Sequence, residues 1–194
     1  MNAEKEVTDT VDVTVVLPAY NEADELEATV DKVNQALTQF TRSYEVIIAE
    51  DGSTDGTDRL AETLSEKNPF VKHIHGEKRL GRGTALKNAF KQSSGEVLVY
   101  MDLDLATDLK YLKALVGAVE SEGYDFATGS RMLPESNVER SGTRHIASKT
   151  FNFMVRALLG SKVKDHQCGF KAFRREPLMQ VLDEVGAGHW FWQK

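Results

Sequence analysis

Val97-Leu98-Val99-Tyr100-Met101-Asp102-Leu103-Asp104 is an apolar run that ends in two carboxylates. A short run of β-branched and aromatic residues closed by polar ones reads as a buried strand. Residues i and i+2 of a strand project to the same side. Asp102 and Asp104 at its end would therefore aim two hard oxygen ligands into one crevice. Such a pair suits Mg²⁺ or Mn²⁺, which keep several waters and take further oxygens from a substrate diphosphate. Asp-x-Asp is also an ordinary solvated turn, and its surroundings decide between the two readings.

Working outward, the pattern alternates. Apolar strands are expected over 13–19, 44–49, 71–75 and 96–101, with a further strand over 125–130. Between them lie helical periodicities. Leu26, Val30, Val33 and Leu37 recur at three- and four-residue spacing up to about Thr38. A second helix carries Leu60 and Leu64 and stops at Asn68-Pro69, a third covers 84–91 and a fourth 109–121. Strands alternating with helices predict an α/β fold with a mostly parallel central sheet and helices on both faces. The last third breaks the rhythm, with a helix over 143–159, a strand over 167–173 and a helix over 176–185. No internal repeat or low-complexity linker divides the 194 residues, so one domain is expected.

Composition excludes several classes. No stretch approaches the ~18 uninterrupted apolar residues of a membrane span, and residues 1–12 lack the apolar segment of a secretory signal. The single cysteine, Cys168, rules out an internal disulfide and fits a reducing compartment. It reads as a packed small residue rather than a nucleophile. A net charge of −6 argues against a nucleic-acid partner. The charge is uneven, however. Residues 131–175 hold Arg131, Arg140, Arg144, Lys149, Arg156, Lys162, Lys164, Lys171, Arg174 and Arg175 against Glu135, Glu139 and Asp165, which suggests an anion met at one place.

In open parallel sheets, ligands bind beyond the carboxyl ends of the strands. Four such ends carry groups able to cradle a nucleotide: Pro18-Ala19-Tyr20-Asn21-Glu22, Glu50-Asp51-Gly52-Ser53, Gly81-Arg82-Gly83-Thr84 and Asp102-Leu103-Asp104. Each alone is turn chemistry. Four at one sheet edge point to a site.

Val15-Val16-Leu17-Pro18-Ala19-Tyr20-Asn21-Glu22, Glu50-Asp51-Gly52-Ser53-Thr54-Asp55-Gly56-Thr57 and Asp102-Leu103-Asp104, in this order, resemble the signature of family-2 inverting glycosyltransferases with the GT-A (Rossmann-like) nucleotide-sugar-binding fold. Gly129-Ser130-Arg131 and Asp165-His166-Gln167-Cys168-Gly169-Phe170-Lys171 resemble the branch that makes dolichyl- or polyprenyl-phosphate sugars, most closely the dolichyl-phosphate β-glucosyltransferases. The resemblance implies a nucleotide-sugar half over about 11–105 and an acceptor half over about 106–194. It places Pro18, Ala19, Tyr20 and Glu22 in the nucleoside pocket, Asp51 on the base, Ser53 beside it, and Gly81 and Gly83 in a loop close to the nucleotide. Asp102 would hold the ribose or the metal's hydration shell, and Asp104 the Mg²⁺ or Mn²⁺ that bridges the diphosphate. The donor expected is UDP-glucose, with GDP-mannose as the alternative, and the acceptor a dolichyl or polyprenyl phosphate.

A phosphate monoester has its second pKa near ~6 and is already an anionic nucleophile at neutral pH. Such an acceptor needs cations to place it more than it needs a base. Arg131, Arg140 and Arg144 are the candidates, Arg131 first because it follows a strand end. His145 and His166 are weaker candidates as bases. The helix over 143–159 carries Phe151, Phe153, Met154, Leu158 and Leu159, and reads either as core-facing or as a surface meeting lipid at the cytoplasmic face of a membrane. In relatives, an aromatic stretch like Trp190-Phe191-Trp192 leads into an acidic motif, whereas here Gln193-Lys194 follows. The chain therefore reads as truncated at its C-terminus, and a nucleotide-sugar-binding module without turnover is a second reading. A nucleotidyltransferase is a third, which would want a glycine-rich, basic loop directly after the first strand.

Overall fold

The computed structural model describes residues 11–130 and 142–184, with the side chains of residues 142–149 and 159 outside that description. Its centre is a six-stranded sheet in the order β3-β2-β1-β4-β6-β5. The strands are β1 (Val13–Ala19), β2 (Tyr44–Glu50), β3 (Val71–Ile74), β4 (Val97–Met101), β5 (Phe126–Thr128) and β6 (Phe170–Arg174). β1, β2, β3 and β4 run parallel, with Val13 level with Tyr44 on one side and Val97 on the other. The helices are α1 (Ala23–Thr38), α2 (Thr57–Lys67), α3 (Arg82–Gln92), α4 (Leu112–Glu120), α5 (Gly142–Leu159) and α6 (Arg175–Val181).

The period-2 rule divides the core. Val13, Val15 and Leu17 of β1 meet Leu26, Val30, Val33 and Leu37 of α1 and Leu112, Val116 and Val119 of α4 on one face. Val16, with Ile47, Leu98 and Tyr100, meets Leu86 and Phe90 of α3 and Leu178 of α6 on the other. β2 and β4 are buried along their whole length, as strands covered on both faces must be.

Two features of the topology build the site. After β3 the chain crosses back over β1 to form β4, so the strand order reverses between β1 and β4, and a crevice opens at their carboxyl ends. β6 then enters antiparallel between β4 and β5, Met101 level with Phe170. This places the 165–171 segment against the Asp102 turn.

One buried charge ties the opposite end of the sheet. Glu45 of β2 accepts from Thr14 Oγ1 (2.7 Å) and Ser94 N–H (2.5 Å) through Oε1 and pairs with Lys72 of β3 through Oε2. Burial raises its pKa, but the Lys72 ammonium and the two hydrogen bonds outweigh burial and hold it below the usual carboxylate value of 4.5. A carboxyl whose pKa is lowered on folding stabilises above its unfolded value and loses that contribution as pH falls through the folded value. Glu45→Gln is therefore expected to cost about 1–3 kcal/mol at pH 7. Urea titrations should find the difference from wild type shrinking below pH 4.5. A difference independent of pH would contradict this role.

Candidate functional site

A cleft of ≈ 600 Å³ lies at the carboxyl ends of β1, β2 and β4, lined by Pro18, Ala19, Tyr20, Glu22, Asp51, Arg79, Arg82, Ala85, Asp102, Leu103 and Asp104. Each wall has a local cause. After β1, Asn21 takes a positive φ of 56°, which asparagine tolerates. It is held there by its N–H to Ser53 Oγ (3.0 Å) and by Thr54 N–H to its Oδ1 (2.8 Å). Glu22 N–H donates to Thr57 Oγ1 (2.8 Å). The first two strand-end turns are thereby locked together.

Asp51, 5% exposed, closes the cleft behind them. Its Oδ1 accepts from Leu80 N–H and its Oδ2 from Gly81 N–H, both at 2.8 Å. The carboxylate thus anchors the loop between β3 and α3. Gly52 makes that closeness feasible, because a Cβ there would lie 2.5 Å from the backbone of Lys78 and Arg79 and its φ is +72°. The loop delivers two cations. Arg79 lies 3.8 Å over the Tyr20 ring, and Arg82 Nη1 donates to Asp102 Oδ1 at 3.0 Å.

Asp102 is the most constrained group in the cleft. Besides Arg82, the Tyr100 hydroxyl donates to Oδ1 at 2.6 Å. Burial, then the Asp102 charge, raises the Tyr100 pKa far above its usual value, so the hydroxyl stays a donor. The Asp102 N–H donates to Gly169 O at 3.0 Å. A Cβ on Gly169 would sit 1.7 Å from Asp102 Oδ2. Asp104 is exposed, and its Oδ1 accepts from Ala106 N–H (3.0 Å) across Leu105, whose φ of 46° is costly for a leucine.

A divalent cation fits this donor set. Arg82 and Tyr100 take one oxygen of Asp102, and hard carboxylate oxygens remain on Asp102 and Asp104. Glu22 adds to the negative charge. Burial first, then the neighbouring carboxylates Glu25, Asp104, Asp55 and Asp102, push its pKa upward.

Of the residues expected from sequence, Pro18, Ala19, Tyr20, Glu22, Asp51, Asp102 and Asp104 come together in the cleft. Ser53, Gly81 and Gly83 stand outside its lining. Ser53 fixes the Asn21 turn, Gly81 gives its N–H to Asp51, and Gly83 is buried in the first turn of α3. Arg131, Arg140, the Arg144 and His145 side chains and Trp190-Phe191-Trp192 lie outside the described residues. His166 is structural, as its ring nitrogens pair with Asn152 Oδ1 and Ser161 Oγ, each at 2.8 Å. Cys168 is buried, as expected of a packed residue. α5 is core-facing on one side only. Asn152 points inward, while Phe153 and Leu158 are 71% and 80% exposed and Met154 also faces out. Sequence reasoning passed over Arg79 and named Arg82 only within the Gly81–Thr84 turn. The signal was there, since both belong to the basic, glycine-bearing run Lys78-Arg79-Leu80-Gly81-Arg82-Gly83 after the third strand.

The chain belongs to glycosyl transferase family 2, whose model matches residues 14–182. It is 47% identical to glycosyltransferase AglD of Haloferax volcanii over 94% of this chain and 30% of that protein. It is 31% identical to the undecaprenyl-phosphate 4-deoxy-4-formamido-L-arabinose transferase of Serratia proteamaculans over 88% of this chain and 51% of that one. The chain thus spans about half or less of the length of these relatives. Among solved structures, the mannosyltransferase PcManGT of Pyrobaculum calidifontis, in complex with GDP-Man and Mn²⁺, superposes with a TM-score of 0.64 at 24% identity, covering 93% of this chain and 50% of that one. The glucosyl-3-phosphoglycerate synthase of Mycobacterium tuberculosis, with Mn²⁺, UDP and phosphoglyceric acid, gives 0.67 at 22%, covering 94% and 62%. The fold is GT-A.

Proposed function

We propose that this chain is the catalytic domain of a metal-dependent hexosyltransferase that moves a sugar from a nucleoside diphosphate onto a polyprenyl phosphate. The observation that carries the reading is the meeting, in one cleft, of the Asp102–Asp104 carboxylates, the Arg79 and Arg82 guanidiniums and the Tyr20 ring. A nucleoside diphosphate offers one complement to each. Its planar base suits the Tyr20 and Arg79 faces, and its phosphates suit the guanidiniums. Asp51 sits at the base end, where each oxygen keeps a second lone pair beyond its bond to the 80–81 amides. Mg²⁺ or Mn²⁺ held by Asp102 and Asp104 would neutralise charge on the departing diphosphate.

The acceptor follows from two observations. The Serratia relative is named for a polyprenyl phosphate. In this chain, exposed Phe153, Met154 and Leu158 share α5 and its C-terminal loop with exposed Arg156, Lys162 and Lys164. That arrangement sets apolar groups toward acyl chains and cations toward headgroups. No helix among the described residues is long and apolar enough to cross a membrane. Arg131, Arg140 and Arg144 are the cations assigned to the acceptor phosphate. UDP-glucose is favoured as donor and GDP-mannose is the competitor, on resemblance. The test is transfer of labelled hexose from each donor to polyprenyl phosphate in phosphatidylglycerol vesicles. Mn²⁺-dependent formation of a lipid-linked sugar is expected. Mn²⁺-dependent nucleotide binding without transfer of hexose to polyprenyl phosphate from either donor would overturn the acceptor assignment.

A further inference from the structure

β3 closes on His73-Ile74 and His75 follows directly, so two imidazoles two residues apart lie on one side of the strand line. Facing them are Asp58, in the first turn of α2, and Glu50, the last residue of β2. One ligand atom from each of the four lies within 4.8 Å of all the others. None of the four lines the donor cleft.

We propose that Glu50, Asp58, His73 and His75 form a second divalent-cation site, of the zinc type, that fastens α2 to β2 and β3. Hydrogen bonding leaves the cluster incompletely satisfied. His75 Nδ1 lies 2.7 Å from Glu50 Oε2 and 2.9 Å from Asp58 Oδ1, so one nitrogen serves two carboxylates. His73 Nε2 is shut off from solvent without a hydrogen bond, and stands 3.6 Å from Asp58 Oδ1. A buried polar atom without a partner is uncommon and calls for one. A cation placed among the four accepts a lone pair from each nitrogen and charge from each carboxylate, which removes both defects.

The spacing fits. Bonds of about 2.0–2.1 Å to tetrahedral Zn²⁺ put ligand atoms about 3.3–3.4 Å apart, a spacing that side-chain shifts of about an ångström reach from separations of 2.7, 2.9 and 3.6 Å and none above 4.8 Å. Glu50 is prepared for the role. Its side chain is wholly buried, and its Oε1 takes the Ser53 N–H while Oε2 meets His75 Nδ1, the kind of outer hydrogen bond that orients a metal ligand. Two imidazoles and two carboxylates select Zn²⁺ and its neighbours Co²⁺ and Ni²⁺ over Mg²⁺, which prefers oxygen and water. β3 is a four-residue edge strand. A clasp there would hold the β2–α2 turn, and with it Asp51, from behind.

The site is tested with the metal alone, in the absence of nucleotide, so its failure is separate from that of the glycosyl-transfer reading. Chelator-treated full chain carrying Asp104→Ala, which removes one of the two cleft carboxylates, is titrated with Zn²⁺ by calorimetry, with thermal unfolding followed alongside. One equivalent is expected to bind and to raise Tm. His75→Ala, at a half-exposed position, is expected to weaken binding about tenfold or more and to cancel the rise in Tm. Asp58→Asn, on the helix, should weaken it independently. Co²⁺ should give the intense visible absorption of a tetrahedral ion, lost in His75→Ala. No Zn²⁺ binding in the Asp104→Ala protein, or binding that His75→Ala and Asp58→Asn leave unchanged, would overturn the site.

Discussion

Gly169→Ala is expected to give a folded protein whose Mn²⁺-dependent affinity for nucleoside diphosphates is lowered about 10- to 100-fold. A Cβ at that position falls 1.7 Å from Asp102 Oδ2 and 2.4 Å from its Cγ. The backbone is poorly placed to yield. Gly169 O accepts the Asp102 N–H, and the next residue, Phe170, is in ladder register with Met101. The Asp102 carboxylate must therefore swing by more than an ångström, breaking its bonds to Arg82 Nη1 and the Tyr100 hydroxyl. A misplacement of that size removes one ligand from the metal's coordination and leaves Arg82 without its partner. Gly129→Ala is the informative contrast. Its Cβ would meet Cys168 Sγ and Phe170 Cδ1 at 3.2 Å, side-chain atoms that can give by a few tenths of an ångström. If Gly169→Ala binds nucleotide as wild type does, the link between the 165–171 segment and the Asp102 carboxylate is wrong.

Asp104→Ala is expected to abolish the Mn²⁺ dependence of nucleotide binding and leave the fold in place. The side chain is exposed, and among the described residues its hydrogen bond is to the Ala106 N–H of its own turn, so the stability cost should stay within about 1 kcal/mol. The loss is instead electrostatic. Glu22, Asp102 and Asp104 share the cleft, and a cation held by two carboxylates offsets the diphosphate charge that would otherwise meet Glu22. Calorimetry with UDP with and without Mn²⁺, beside a circular dichroism melt, separates the two effects. Retained Mn²⁺ enhancement with an unchanged melt would remove Asp104 from the metal site.

The strands, their order along the chain and the polar turns beyond them were legible because each rests on local pattern. Buried runs such as Val13–Ala19 and Val97–Met101 carry their signature within a few residues. The carboxyl-end rule then gathers Tyr20, Asp51, Asp102 and Asp104 without knowledge of the fold's details. What stayed hidden depends on long-range pairing. The antiparallel entry of β6 is set by where α5 returns the chain, so nothing near Gly169 announces that it will lie against Asp102. Arg79 and Arg82 belong to the loop that the Asp51 carboxylate pulls over the cleft through the Leu80 and Gly81 amides. A bond across some thirty residues is not encoded in spacing. His73 and His75 could have been read, since His-x-His at a strand end puts two imidazoles together. Their partners Asp58 and Glu50 come from other elements and appear only in three dimensions. The helix over 143–159 carried two readings because Phe153 and Leu158 at helical spacing look the same whether they face a core or lie exposed.

The central claim is that the crevice between β1 and β4 is a metal-dependent nucleotide-sugar site. Calorimetric titration of this chain with UDP, UDP-glucose, GDP and GDP-mannose, each with and without Mn²⁺, tests it most directly. Tighter binding in Mn²⁺ with a preference for the uridine ligands is expected, and loss of that enhancement in Asp104→Ala. Absence of binding by all four nucleotides with Mn²⁺ present would contradict it.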